Sequence, residues 1–303
     1  MENTASITAK MAAFGRAFYA ENAANPVFTD AKGKELIGEE EYRAMEAWIR
    51  QGVDFFLPGK NQADETTMLR EIVYSQIAPL PVSRGKFCED SLRTAMRTGT
   101  EQYVLLGAGL DTFAFRERSW GRNCEVFEVD HPCTQEDKRR RIQAAGWQIP
   151  PNWHEVPVDF SARDSAEHLI EKLREAGFDR GKKTFFSWLG VSYYLSPGEI
   201  GRMLRALAAL SAEGSSLVFD CAGEGFFSSP VQRVQNMIAM ASAGGEPMKT
   251  AFRYEELEKL LDAHGFLIYE WLTPRDIHAR YFSGPGEEMT AFEHVHFVLA
   301  VKK

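Results

Sequence analysis

The chain has 303 residues, 44% of them apolar and 26% charged, with a formal net charge of −8. That length accommodates one large domain, or one domain with a cap, and the apolar share is enough to build a sizeable core. The acidic balance argues against an extended nucleic-acid or anionic-membrane surface. The N-terminus has no apolar core of signal-peptide length, and no run approaches a membrane span. Cys88, Cys124, Cys133 and Cys221 show neither CxxC spacing nor a dense framework. They read as thiols of a reducing compartment, by default the cytosol.

In chain order, residues 4–20 carry Ile7, Met11, Phe14 and Phe18 at intervals of three and four, one face of a helix. A second helix is expected over 39–51, with Tyr42, Met45, Trp48 and Ile49 as its apolar side, and a third over 63–77. Pro79 and Pro81 are expected to stop the third helix. The first 80 or so residues thus form a helical cap, placed at 1–83, in front of an α/β unit at 84–303. Arg84 follows the proline break and precedes a helix expected over 86–97, which Gly99 ends. A guanidinium there could grip a carboxylate with two parallel hydrogen bonds.

The next stretch, QYVLLGAGLDTFAFR (102–116), begins as a buried strand and breaks at Gly107-Ala108-Gly109 before an expected helix. Without a β-carbon, Gly107 and Gly109 let a ligand approach the backbone closely. VFEVDHP (126–132) is a second strand ending at Asp130, about 20 residues beyond the glycine turn, where a carboxylate meets ribose hydroxyls in nucleotide-binding folds. The helix after it carries the basic run KRRRI, read as a solvated face. A third strand within 154–161 ends at Asp159 and Phe160, with Ser161 as helix cap for 162–176.

A fourth strand opens the aromatic stretch KTFFSWLGVSYYLSP (183–197). Phe185, Phe186 and Trp188 read as core, while Gly190, Tyr193 and Tyr194 lie at the carboxyl end, where open α/β sheets bind ligands. Ser196, Pro197 and Glu199 then form a capping box for a helix through Leu210. After a fifth strand (215–225) comes an insertion, about 226–250, whose Met237, Ile238 and Met240 suggest an adaptable apolar helix, equally a lid or a crossover. A helix over 254–264 and strands over 265–273 and 290–303 close the chain, the last two joined by a non-helical connection and therefore antiparallel. His294 and His296 read as strand residues sharing a face, because no metal-ligand spacing accompanies them. The fold class is α/β: a Rossmann-like sheet, mostly parallel with a C-terminal antiparallel strand, plus the N-terminal helical cap.

Taken together, SRGKF (83–87), LGAGLDTFAFR (106–116), FEVDHP with Lys138 and Arg139 (127–139), VDF (158–160) and YYLSP (193–197) resemble the leucine carboxyl methyltransferase family. This is a branch of the class I methyltransferases that use S-adenosyl-L-methionine. The resemblance covers roughly 84–303 and looks closest to the bacterial group that includes the tetracenomycin polyketide O-methyltransferase. It implies that Arg84 holds the donor's methionine carboxylate. It also implies that Gly107, Ala108 and Gly109 pass beneath its methionine and ribose, with Asp130 and the adjacent His131 at the ribose end. Asp159 and Phe160 would flank the adenine, and Trp188 would border the donor. The product would be S-adenosyl-L-homocysteine. Relatives often carry a Glu after the fourth strand where this chain reads Trp188-Leu189-Gly190.

The implied reaction is methyl transfer to an oxygen of a small molecule. A carboxylate acceptor is already ionised near pH 7, whereas a phenol titrates near about 10 and needs a base, for which His131 and His154 are candidates. Tyr193, Tyr194 and Tyr281 are candidates to shape the acceptor pocket. Three other readings stay open. A protein C-terminal carboxylate could be the acceptor. A nicotinamide-dependent oxidoreductase is disfavoured because Thr112 stands where a third glycine belongs. A non-catalytic S-adenosyl-L-methionine-binding protein is motivated by Leu189.

Overall fold

A computed structural model describes residues 7–60, 64–116, 124–162 and 164–303. The chain opens with α1 (Ile7–Asn22), α2 (Lys32–Ile37), α3 (Glu39–Gln51), α4 (Val53–Phe56) and α5 (Glu65–Ile72), the last running into a π-helical turn at Val73–Ile77. The apolar periodicity is borne out in α1, although the buried stripe is centred on Phe14, Phe18 and Tyr19, and Ile7 is exposed.

Next comes α6 (Pro79–Arg97), and here the sequence expectation is corrected. The third expected helix does end at Ile77, just before Pro79, but the prolines also begin the next helix: they lie in its first turn, where backbone N–H groups have no intrahelical acceptor and the missing donor costs nothing. Arg84 therefore sits inside α6 rather than ahead of it. The expected boundary at residue 83 also falls within this helix, so cap and sheet share it.

The strands are β1 (Gln102–Leu106), β2 (Glu125–Asp130), β3 (Trp153–Pro157), β4 (Thr184–Trp188), β5 (Ser216–Gly223), β6 (Ala251–Phe252), β7 (Phe266–Leu272) and β8 (Val295–Lys302). They are ordered β3-β2-β1-β4-β5-β8-β7, with β6 paired to the end of β5. The first five run parallel. β8 is antiparallel to both β5 and β7. The remaining helices are α7 (Pro132–Ala144), α8 (Ser165–Glu175), α9 (Pro197–Leu210), α10 (Gln232–Ala243), α11 (Tyr254–Ala263) and α12 (Pro274–Tyr281).

Three local readings change. The helix expected after the glycine turn is a 3-10 turn, Phe113–Phe115, among the described residues. Ser161 does not cap α8; Asp164 occupies that position, and Ser161 bonds back to Asp159 instead. The connection between β7 and β8 contains α12, begun by a capping box in which Thr273 and Asp276 bond each other's backbone N–H. The strands it joins are antiparallel all the same. His294 lies just before β8 in a left-handed conformation (φ 58°), so His296 alone is a strand residue. The capping box of Ser196 and Glu199 at the start of α9 is present as expected.

Two apolar layers sandwich the sheet. One face packs Val104, Phe127, Phe186, Trp188 and Leu217 against α8, α9 and α11. The other packs Tyr103, Leu105, Phe185 and Val218 against α6 and α7 and, beyond α6, the helical cap with α10. Successive strand side chains alternate between these faces, which is why strands buried on both sides read as unbroken apolar runs.

The cap is bolted to the glycine turn by a buried ionic cluster. Asp30, with no exposed side-chain surface, accepts from Arg16 Nε at 2.9 Å and from the Thr112 hydroxyl, with Arg116 Nε 3.9 Å away. Arg16 also donates to the Leu110 carbonyl at 3.0 Å. Burial alone would raise the Asp30 pKa, but Arg16 and Arg116 outweigh it and hold the carboxyl below its usual range.

Candidate active site

Parallel strands place their carboxyl ends along one edge of the sheet, and most of the expected site residues lie along it. The turn after β1 is left-handed at Gly107 (φ 74°) and Gly109 (φ 51°). A β-carbon on Gly107 would come within 2.4 Å of Val191 Cγ2, so neither the conformation nor the space admits a side chain. The N–H groups of Gly107 and Ala108 donate to the Val129 carbonyl at 2.8 and 3.1 Å, which clamps the turn to the end of β2. Asp111 secures the far side of the turn, its Oδ1 accepting from the Phe113 N–H at 2.6 Å.

Asp130 faces this turn. Its Oδ2 accepts from the Gly109 N–H and its Oδ1 from the His131 N–H, both at 2.6 Å. The Thr134 side chain is a third donor to Asp130, and because each carboxylate oxygen has two acceptor sites, one of the four is left for a hydroxyl. Burial pushes the Asp130 pKa up, against the pull of those two backbone donors.

His131 caps α7: its Nδ1 accepts from the Cys133 N–H at 3.2 Å. The proton of the neutral ring therefore sits on Nε2, 3.9 Å from Asp159 Oδ2, and the ring is a poor candidate for a base. His154 is displaced as well. It lies near the amino end of β3, stacked on Phe127 and bonded through Nε2 to Glu125 Oε2 at 2.7 Å. Asp159 follows β3, where its Oδ1 accepts from the Ser161 N–H and hydroxyl at 2.9 and 2.6 Å. The Ser161 hydroxyl bond is the main cause that lowers its pKa. Phe160 packs, partly buried, on the α8–α9 face of the sheet.

Around β4 the sequence reading is sharpened. Trp188 is fully buried among the residues facing α8 and α9, beside Phe219. Alternation along β4 sends it with Phe186 to that face, opposite the one that carries Phe185. The Tyr193 hydroxyl is buried and donates to Asp220 Oδ2 at 2.8 Å. Tyr194 is only partly buried. The Thr8 hydroxyl bonds to it, and burial first, then the Glu246 charge, pushes its phenol up to about 12. Tyr281 is buried in the core at the end of α12, where Asp90 of α6 is among the charges that act on it.

Arg84 does reach the edge, but its partner is one the sequence reading missed. Its Nη1 donates to Asp220 Oδ2 at 3.0 Å, a pair in which Asp220 has no exposed side-chain surface. Asp220 Oδ1 accepts from the Gly190 N–H at 2.6 Å. A signal for Asp220 was present: it is a lone charge within a strand that is otherwise buried and uncharged from Ser216 to Gly223. Thr8 and Glu246 carry no such signal. Their hydrogen bond of 2.7 Å joins α1 to the segment after α10 across 238 residues of sequence.

The insertion is tied to the cap. Arg233 of α10 pairs with Glu293 at 2.6 Å and donates to the carbonyls of Ser75 and Ala291, while Asn236 donates to the Phe55 carbonyl. The basic run of α7 is compensated: Lys138 pairs with buried Glu128, Arg139 with Glu136 and Glu155, Arg140 with Asp137, and Arg141 with Asp137 and Glu41.

This strand order, with a parallel core and an antiparallel β8 beside β5, is accompanied by a sequence match over residues 9–208 to the model for leucine carboxyl methyltransferase. The chain belongs to the leucine carboxyl methyltransferase family. It is a class I methyltransferase whose donor is S-adenosyl-L-methionine, which sets aside the nicotinamide reading. It is 39% identical, over 100% of its length and 99% of the relative's, to a Bacillus subtilis (strain 168) protein provisionally named S-adenosyl-L-methionine-dependent methyltransferase YktD. Two solved structures share the fold. One is a Streptomyces avermitilis MA-4680 protein of the DUF574 family (TM-score 0.55, 17% identity, 84% of this chain and 97% of that one). The other is a Thermobifida fusca YX protein described as a methyltransferase (TM-score 0.53, 19% identity, 84% and 94%). No helix among the described residues is long and apolar enough to cross a membrane.

The residues present fit the donor. The left-handed glycine turn leaves its backbone bare, Asp130 retains an acceptor site beside it, and Arg84 brings a guanidinium to the same edge.

Proposed function

We propose that this family member methylates an oxygen of a small molecule, with a carboxylate favoured over a phenol. The observation that carries this reading is the commitment of the acid–base groups at the carboxyl edge. Asp130 and Asp220 accept from backbone and side-chain donors, His131 Nδ1 accepts from Cys133, the Tyr193 hydroxyl is given to Asp220, and Glu246 accepts from Thr8. None of these is poised to take a proton from an acceptor, and an acceptor that is already an anion near pH 7 requires no such step.

In this reading Arg84 takes the donor's carboxylate through N–H groups not given to Asp220, and Asp130 takes the ribose hydroxyls. The turn of Gly107, Ala108 and Gly109 passes beneath, and Asp159 and Phe160 flank the base. When bound, S-adenosyl-L-methionine supplies an electrophilic methyl group on a positively charged sulfur. The work of the chain is to align an acceptor oxygen with that methyl and to keep water out. The aromatic face of Tyr194 can favour the positive charge, and Met237, Ile238, Met240 and Met248, partly buried against the cap core, offer an adaptable apolar wall to the acceptor.

The test is transfer of labelled methyl from S-adenosyl-L-methionine to three panels: small aromatic and aliphatic carboxylates, matched phenols, and peptides ending in leucine. Turnover confined to small carboxylates is the expected result. Turnover on the leucine peptides would replace the small-molecule reading. Turnover on phenols alone, rising with pH toward the phenol's own titration, would replace the carboxylate reading.

A further inference from the structure

Asp220 gathers two elements far apart in sequence. Its carboxylate accepts from Arg84 of α6, from the Tyr193 hydroxyl and from the Gly190 N–H, and its carbonyl accepts from the Ser192 hydroxyl at 2.5 Å. The loop after β4 is thereby fixed to β5 at three residues. The same carboxylate also holds the guanidinium in place. Leu189 leaves that loop without a carboxylate of its own, and Asp220 reaches it from the neighbouring strand.

The guanidinium is located from a second side. Gly190 is left-handed (φ 70°), and a β-carbon there would lie 2.7 Å from both Nη1 and Nη2. Arg84 therefore lies against the bare Cα of Gly190, with Nη1 given to Asp220. A guanidinium has five N–H donors in a fixed fork, so this contact leaves an edge for a second carboxylate. The pair is electrically neutral, which lets Arg84 be buried ahead of any anionic partner.

We propose that Asp220 is a positioning residue for the amino-acid end of the methyl donor: it aims Arg84 and the Gly190–Tyr194 loop at the donor's carboxylate without touching the donor itself. This rests on the reading of Arg84 as the group that takes that carboxylate. Asp220→Asn keeps the volume and removes the charge that orients the guanidinium. Its effect is then confined to ligands that carry the amino-acid end.

The experiment compares two ligands by calorimetric titration: S-adenosylhomocysteine, which has that end, and methylthioadenosine, which lacks it. Asp220→Asn is expected to weaken the first by about tenfold, the scale of a lost charge-assisted hydrogen bond, and the second by less than twofold. Gly190→Ala, which crowds the guanidinium out of place, is expected to show the same selectivity and serves if Asp220→Asn does not fold. Equal losses for both ligands would mean a purely structural role and would overturn the proposal, as would unchanged affinity for both. Arg84→Ala separates the two claims. If it loses S-adenosylhomocysteine selectively while Asp220→Asn does not, the positioning role alone is wrong. If Arg84→Ala shows no selectivity, the reading of Arg84 is wrong and the proposal falls with it.

Discussion

Asp130 at the end of β2 and Asp220 in β5 are two aspartates near one edge of one sheet, and their surroundings differ in kind. Asp130 is met by two backbone N–H groups, one per oxygen, and by the Thr134 side chain, which hold it toward the glycine turn and leave one acceptor site open. Asp220 is met by a guanidinium, a phenol and a backbone N–H, and its side chain is wholly enclosed. The first arrangement suits a residue that binds; the second suits one that holds other residues in place. Burial raises the Asp130 pKa, and Asp220 has the Arg84 guanidinium as its ionic partner.

The largest expected effect separates the two directly. Asp220→Ala leaves a buried guanidinium without its partner and should lower unfolding stability by about 3–5 kcal/mol in denaturant titrations. A loss under about 1 kcal/mol would show that Arg84 finds water or another acceptor and would blur the distinction. Asp130→Ala should cost less, about 1–2 kcal/mol, because it strands two backbone donors at a half-buried site rather than a charge. If the two variants are equally destabilised, the contrast drawn between them fails. Next in size, Ser196→Ala removes one side of the α9 capping box just beyond the loop that Asp220 holds. It should cost about 1 kcal/mol and leave ligand affinity as it was; a drop in affinity would mean that the loop is positioned from α9 rather than from β5.

The smallest effect concerns pH. His296, beside Gly223 at the end of β5, is held neutral down to about 4, chiefly by burial and then by the nearby His294. Its folded value lies below the ordinary 6.5, so the unfolded chain binds the extra proton between these two values. The stability contributed by neutral His296 is full above pH 6.5 and is lost as pH falls toward 4. His296→Phe, which keeps the stack on Trp271, should flatten the melting temperature across that window. An unchanged slope would show that other groups set it.

The succession of strands and the glycine turn are legible because they are written in short-range patterns: apolar runs, one of them closed by Gly107 and Gly109, and an acid at the end of the next strand. The capping box at Ser196 was legible for the same reason. Pro79 and Pro81 mark both the end of one helix and the first turn of the next; a proline has opposite meanings inside a helix and at its first turn, and only the course of the chain beyond it shows that α6 starts at Pro79 rather than near residue 86. The sequence places Trp188 near the strand's end without saying which face it takes; packing puts it on the α8–α9 side. The bonds from Arg84 to Asp220 and from Thr8 to Glu246 cross 136 and 238 residues. No local pattern specifies such partners; the fold brings them together.

The central claim is that the turn after β1 and the carboxylate at the end of β2 hold the donor. It is tested most directly by titrating S-adenosylhomocysteine into the wild-type protein and into Asp130→Ala. The account predicts binding to the wild type and a loss of about 1–3 kcal/mol, or roughly 5- to 150-fold, in the variant. Equal affinity in a variant that melts as a folded protein would contradict it.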